Sequence, residues 1–352
     1  MSREQTVAQP EADAVVRSAS LAGQRFRFRD HYEVGREKIR EFARAVQNLH
    51  PAHQHEVDAR KLGYDGIIAP PTFSSVIGMS VTRALLETVL TDYDLSQVLQ
   101  TDQVFEIFRP MTAGDRITTE IEIESVRSFG DNDFVNVKFL LSNQDGEVAV
   151  QGTTTIVARR GVEVDPGIVE AVENISMHMR PAEIAGVSSS DVLTPLEGPA
   201  PAAPKREFTA VNTTPGFEDV SAGTVLPPAT ARVTRGDLAN YAGVSGDPNP
   251  IHFSDRAAEL AGLPTVVAHG LLTMGLAADY LTSWLGDPSA IEKLAVRFAG
   301  FVPVYPAAAG TIEFTGKIKS VDPDRRAATV LLTGTSEGKK LFGRAVAEIR
   351  LT

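Results

Sequence analysis

Tyr241 to Asp255 reads YAGVSGDPNPIHFSD, and Ala268 to Leu271, AHGL, follows shortly after it. Pro248-Asn249-Pro250 cannot continue a helix, because each proline lacks an N–H and restricts the residue before it. Asp247 and His252 are therefore presented from a stiff loop, spaced so that a carboxylate and an imidazole can face one substrate. Seventeen residues beyond His252 stand His269 and Gly270, which open the apolar run LLTMGLAADYLTSWLG. That run predicts a buried helix whose N-terminus points at the same site.

Working outward, the same pattern occurs earlier in the chain. Displacing the sequence by 199 positions aligns Val34–Phe73 with Val233–Leu272 without a gap. Val34/Val233, Arg36/Arg235, Ala43/Ala242, Pro51/Pro250, His53/His252, Ala59/Ala258, Gly63/Gly262 and Ala69/Ala268 are identical pairs. One copy in each half of the chain means two related domains rather than an array of small repeats. The copies differ where chemistry would need them to agree: Asp247 is matched by Asn48, Asn249 by His50 and Gly270 by Pro71. Asparagine does not exchange protons near neutrality and proline has no N–H to offer an oxyanion. The first half is thus expected to bind or support, and the second to catalyse.

The chain of 352 residues is comfortable for two domains of ordinary size. It has no cysteine, which excludes disulfides, thiolate metal sites and a cysteine nucleophile and fits a reducing compartment. A net charge of −11 argues against nonspecific nucleic-acid binding. An anionic carrier of the substrate would need a local basic patch, with Arg235, Lys293 and Arg297, or Arg36, Lys38, Arg40 and Arg44, as candidates. The apolar runs are shorter than the roughly 18–20 residues that span a bilayer, and residues 1–20 lack the apolar core of a signal peptide. The expectation is a cytoplasmic protein with a disordered tail over 1–20, no membrane span and no cofactor.

Periodicity predicts an amphipathic helix over 35–47, its counterpart over 235–244, and a largely apolar helix over 73–90. Each half then turns to alternating, β-branched segments: QVFEIF, RITTEIEIESVRS, DFVNVKFLLSNQ and EVAVQGTTTIVARR in the first, KLAVRFAGFV, TIEFTGKIKSVD, AATVLLTGTSE and KKLFGRAVAEIRL in the second. An antiparallel sheet wrapped around one long helix is the natural packing of that order. The domains are placed at 21–162 and 208–352, joined by a linker over 163–207 that holds a helix at 164–180 and a Pro/Ala/Ser-rich connector at 181–207.

The GDPNPIH segment, Gly246–His252, followed by AHGL, resembles the MaoC-type hydratase/dehydratases of the hotdog fold. The resemblance covers roughly residues 206–352, and the first half is similar to the degenerate N-terminal hotdog domains of that superfamily. It implies an α+β double hotdog, two antiparallel sheets each wrapped around a central helix and lying side by side. A non-catalytic hotdog joined to a catalytic one resembles, in fused form, the two-subunit (3R)-hydroxyacyl-carrier-protein dehydratases of mycolic-acid synthesis. The implied reaction is reversible syn dehydration of (3R)-hydroxyacyl thioesters to trans-2-enoyl thioesters in fatty-acid or mycolic-acid elongation, on acyl-carrier protein or coenzyme A, or else its reverse, an (R)-specific enoyl-CoA hydration in fatty-acid degradation or polyester supply. Asp247 and His252 would be the acid/base pair, either of them handling the C2 proton, and the Gly270 N–H would meet the thioester oxygen. Asn249 either supports the pair or forms an Asx turn; His269 either supports the site or begins the helix; Tyr241 reads as core. The halves would pair within the chain, leaving a monomer that mimics a dimer or one that dimerises again.

Three other readings bear on the same residues. The cluster His50, His53 and His55 invites zinc, but adjacent loop histidines seldom converge as a metal site requires. A hotdog thioesterase would use a carboxylate to activate water and does not need His252. A non-catalytic acyl-binding protein would have little reason to keep Asp247 where the other copy has Asn48.

Overall fold

The duplication is written into the element boundaries. In the computed structural model, which describes residues 20–91, 93, 98–159, 192–201, 204, 206 and 210–352, the first half runs β1 (Arg25–Phe28), β2 (Tyr32–Glu33), α1 (Arg36–Ala45), α2 (Glu56–Lys61), α3 (Ser74–Thr88), β3 (Val98–Ile107), β4 (Arg116–Phe129), β5 (Asn132–Ser142) and β6 (Val148–Arg159). After β7 (Leu193–Leu196), the second half runs β8 (Val225–Val233), α4 (Arg235–Ser245), α5 (Asp255–Leu260), α6 (Gly270–Leu285), β9 (Ile291–Phe298), β10 (Gly310–Asp322), β11 (Ala327–Ser336), β12 (Lys339–Lys340) and β13 (Phe342–Arg350). α1 and α4 begin 199 residues apart, as do α2 and α5, and so do the 3-10 turns Pro51–His53 and Pro250–His252 between them.

The register breaks at the long helices. α6 starts at Gly270, whereas α3 starts at Ser74, three residues beyond the position matching Gly270. Pro70 and Pro71 occupy a turn there, in which Phe73 N–H bonds Pro70 O at 2.9 Å. The backbone elsewhere keeps its shape even against residue preference: Gly246, which closes α4, has φ 77°, and its counterpart Gln47 holds φ 57°.

The strands form one antiparallel sheet in the order β7-β1-β4-β5-β6-β3-β9-β13-β11-β10-β8. The two expected sheets are thus joined edge to edge, through β3 and β9, with Phe105 opposite Leu294. Lys293–Glu106 and Arg297–Asp102 ion pairs, each at 2.8 Å, span that seam. Alternation decides which face is buried: in β10, Ile312, Phe314 and Ile318 face inward between exposed Glu313 and Lys317. The inner face covers α3 and α6, and α6 packs on the end of α1, where Gly275 approaches so closely that an added Cβ would lie 2.6 Å from Val46 Cγ1.

Within the stretch read as a connector, Leu193–Leu196 is a strand, paired antiparallel with β1. The helix expected at 164–180 and the tail before residue 20 lie outside the described residues. Among the described residues no helix is long and apolar enough to cross a membrane.

Candidate active site

α4 is held at its start by a capping box, in which Thr234 accepts from Asp237 N–H and Asp237 accepts from Thr234 N–H. It is stopped by left-handed Gly246, which turns the chain into the Asp247 loop. There Asn249 N–H donates to Asp247 Oδ1 at 3.1 Å, and Asn249 Oδ1 accepts from Ile251 N–H at 3.3 Å, starting the turn that carries His252. Asn249 is thus the Asx-turn residue of the loop.

His252 Nδ1 lies 2.8 Å from Val267 O. A carbonyl only accepts, so Nδ1 carries the proton and Nε2 presents a lone pair when the ring is neutral. Burial lowers the pKa of His252, opposed by the negative Asp247 and the Val267 carbonyl. The ring stacks on His269, centroids 3.8 Å apart and planes 28° from parallel. His269 is wholly buried and lies 4.9 Å from the Tyr241 ring. Burial, aided by His252, keeps it neutral by lowering its pKa well below the usual value.

The three side chains converge, each with one polar atom within 4.8 Å of the others: Asp247, His252 and His269. The stacking argues against a metal there, because ligation needs imidazole lone pairs that meet in the planes of their rings, and near-parallel stacked rings aim theirs side by side. α6 begins immediately afterwards, and no side chain caps it at His269. Its first N–H groups, with the positive end of the helix dipole, lie beside the cluster. Gly270 adjoins the Phe298 ring, which a Cβ would approach to 3.3 Å.

The mirrored place in the first half is built differently. His53 repeats the His252 arrangement, its Nδ1–H donating to Ile68 O at 2.7 Å, and burial lowers its pKa to about 3. Asn48 donates to Thr282 Oγ1 at 3.2 Å, and the His50 Nε2–H meets Gly286 O at 3.0 Å, so the end of α6 closes over this loop. His50 and His53 are thereby turned to separate partners, and among the described residues they do not converge with His55.

Ion pairing claims most of the basic residues picked out as carrier contacts. Arg235 holds Asp255, Lys293 holds Glu106, Arg297 holds Asp102, Arg36 holds Glu56 and Arg40 holds Glu37. Two features of the site escaped the sequence reading. The Val267 carbonyl leaves no side-chain signal; the Tyr241 hydroxyl does, since its counterpart in the first copy is Phe42.

Comparison with known proteins bears on the fold and the family. Residues 20–152 match the family described as FAS1-like, dehydratase domain region, and residues 218–335 match the MaoC like domain. A solved MaoC-like dehydratase is 40% identical with a TM-score of 0.84, over 95% of this chain and 99% of that one. A UPF0336 protein of Streptomyces griseus is 42% identical over 132 residues, 38% of this chain and 88% of the relative. A conserved hypothetical protein of Mycobacterium tuberculosis described as a double hotdog superposes with a TM-score of 0.61 at 15% identity, over 93% of this chain and 96% of that one, a likeness of fold alone. The chain belongs to the MaoC-like dehydratase family. It is a double-hotdog hydro-lyase, of the class that removes or adds water.

Proposed function

We propose that the protein catalyses the reversible syn dehydration of (3R)-hydroxyacyl thioesters to trans-2-enoyl thioesters, in fatty-acid elongation, on acyl-carrier protein or coenzyme A. The observation that carries this reading is the convergence of Asp247 and His252 beside the uncapped N-terminus of α6.

His252, neutral and with Nε2 bare, takes the C2 proton. The electrons left at C2 move into the thioester carbonyl, whose oxygen meets the Gly270 N–H and the helix dipole. They return to form the C2–C3 double bond as the C3–O bond breaks, and the imidazolium passes its proton to the departing hydroxyl, which leaves as water. One imidazole both takes and gives, so the two groups leave from the same face. Asp247, with Oδ1 tied to the loop, keeps its other oxygen for the substrate hydroxyl and offsets the transient positive charge on His252. The first half, with Asn48 and Pro71 in the matching places, supplies no acid/base pair and instead covers the site.

The test is absorbance of the conjugated enoyl thioester, presented on coenzyme A and on acyl-carrier protein, with the unmodified protein and with Asp247→Asn, His252→Ala and Asn48→Asp. Loss of the enoyl signal is expected, abolished by the first two substitutions and kept in the third. Free thiol released from a saturated acyl thioester, with no hydration on either carrier, would favour a thioesterase and sink the proposal.

A further inference from the structure

Behind the stacked histidines lies a set of polar atoms that the reaction above does not use. Both ring nitrogens of His269, the Tyr241 hydroxyl and the Ser75 hydroxyl are buried without a hydrogen-bond partner. Tyr241 and His269 belong to the second half, Ser75 to the first turn of α3 in the first half. The Tyr241 hydroxyl is near enough to Ser75 for the serine to favour its ionised form, although the two make no bond of ordinary geometry, and burial pushes the phenol well above its usual range. An unpartnered buried polar group is destabilising, so a run of them beside a reactive site calls for a reason.

The duplication supplies one. At the same displacement of 199, His269, Tyr241 and Ser75 correspond to Pro70, Phe42 and Met274. All three polar groups stand on the side of the Asp247 loop, and all three are apolar on the side of the Asn48 loop. Packing alone gives no ground for that division, since Phe42 fills the place equivalent to Tyr241 while wholly buried. α3 packs against α4, the helix that carries Tyr241, and this contact between the halves brings Ser75 to the site.

A neutral imidazole has one N–H and one lone pair, and the partner of one nitrogen decides what the other presents. Asp247, His252 and Tyr241 are the titratable groups gathered around His269. We propose that Ser75 and Tyr241 form a buried hydroxyl relay that fixes the tautomer of His269 so that an N–H faces Asp247, making Ser75 a positioning residue contributed to the site by the other half of the chain. With an N–H toward it, the Asp247 carboxylate gains a donor and is oriented; with a lone pair toward it, the carboxylate is repelled. This role rests on the dehydratase reading above for its kinetic consequence, but the tautomer itself does not.

The experiment uses full-length Ser75→Ala, Tyr241→Phe and the double variant. Histidine side-chain nitrogen NMR, assigned with His269→Gln, is expected to show His269 in a single neutral tautomer in the unmodified protein and a mixture in each variant. With trans-2-enoyl-CoA or its carrier-protein form, kcat should fall about tenfold with little change in KM. Unchanged tautomer populations would overturn the relay whether or not the protein hydrates enoyl thioesters. So would an altered tautomer with kcat unmoved. Absence of hydration in the unmodified protein, with the tautomer shift intact, would instead count against the reaction and leave the relay standing.

Discussion

His53 provides a quantitative test of the electrostatics of the histidine loops without touching the site proposed for catalysis. It is fully buried, donates to Ile68 O and has its pKa lowered from 6.5 to about 3, chiefly by loss of solvent. The unfolded chain therefore binds a proton at this residue below pH 6.5 that the native state refuses until about pH 3. Native stability falls as pH drops through that window and levels off beneath it. Integrating the proton linkage from pH 7 to pH 5 makes the loss about 2 kcal/mol for this one residue. His53→Asn keeps a donor for the Ile68 carbonyl and removes the titration. At pH 7 the variant should be less stable because the ring leaves a cavity, by about 1–3 kcal/mol; at pH 5 that gap should shrink by about 2 kcal/mol or reverse. His252 and His269 remain in both proteins, so their own acid sensitivity cancels in the difference. Urea unfolding free energies of the two proteins at both pH values measure it. A gap that stays constant to within about 0.5 kcal/mol would refute the claim that His53 is held neutral by burial.

Gly270→Pro imposes on the second half the residue that the first half has at Pro71. His269 sits at φ −58° and ψ 137°, a conformation that tolerates a following proline, and proline is accepted at the first position of a helix. The circular dichroism spectrum should therefore be kept while kcat falls roughly 100- to 1,000-fold, as for loss of an oxyanion donor; near-normal turnover would remove Gly270 from the mechanism. Gly152→Ala would set a Cβ 2.0 Å from the Phe139 ring, which is buried against Phe105, and should lower stability by about 1–3 kcal/mol in denaturant unfolding. Asn48→Asp replaces a buried amide that donates to Thr282 with a carboxylate, and should cost about 1–3 kcal/mol in the same assay. It should confer no second site, because Pro71 still denies the oxyanion an N–H; a doubled turnover per chain would contradict that.

Much of this protein is legible in its sequence because its signals are local. Proline and glycine restrict their own backbone, so the Asp247 loop and the start of α6 stand out wherever the chain later places them. Alternation over long strands yields the meanders, and self-comparison yields the paired domains together with the residues by which they differ. The short strands β1, β7 and β8 escaped because four to nine residues without clear alternation become strands only when a neighbour's edge pairs with them. Tyr241 read as core because its burial is plain from its apolar surroundings, whereas the company kept by its hydroxyl is not.

The sequence by itself determined that a carboxylate, an imidazole and a glycine-led helix belong to one half, and that the other half keeps the imidazole, His53, but has Asn48 and Pro71 in place of the carboxylate and the glycine. Only the tertiary structure decided that His252 gives Nδ1–H to Val267 O and so leaves Nε2 bare, that His269 stacks on it, and that Ser75 arrives from the far half of the chain. The division follows from distance. Backbone restriction and periodicity act over a few neighbouring residues and leave their mark in the order of the letters, whereas a proton's position depends on atoms brought near by folding from anywhere along the chain.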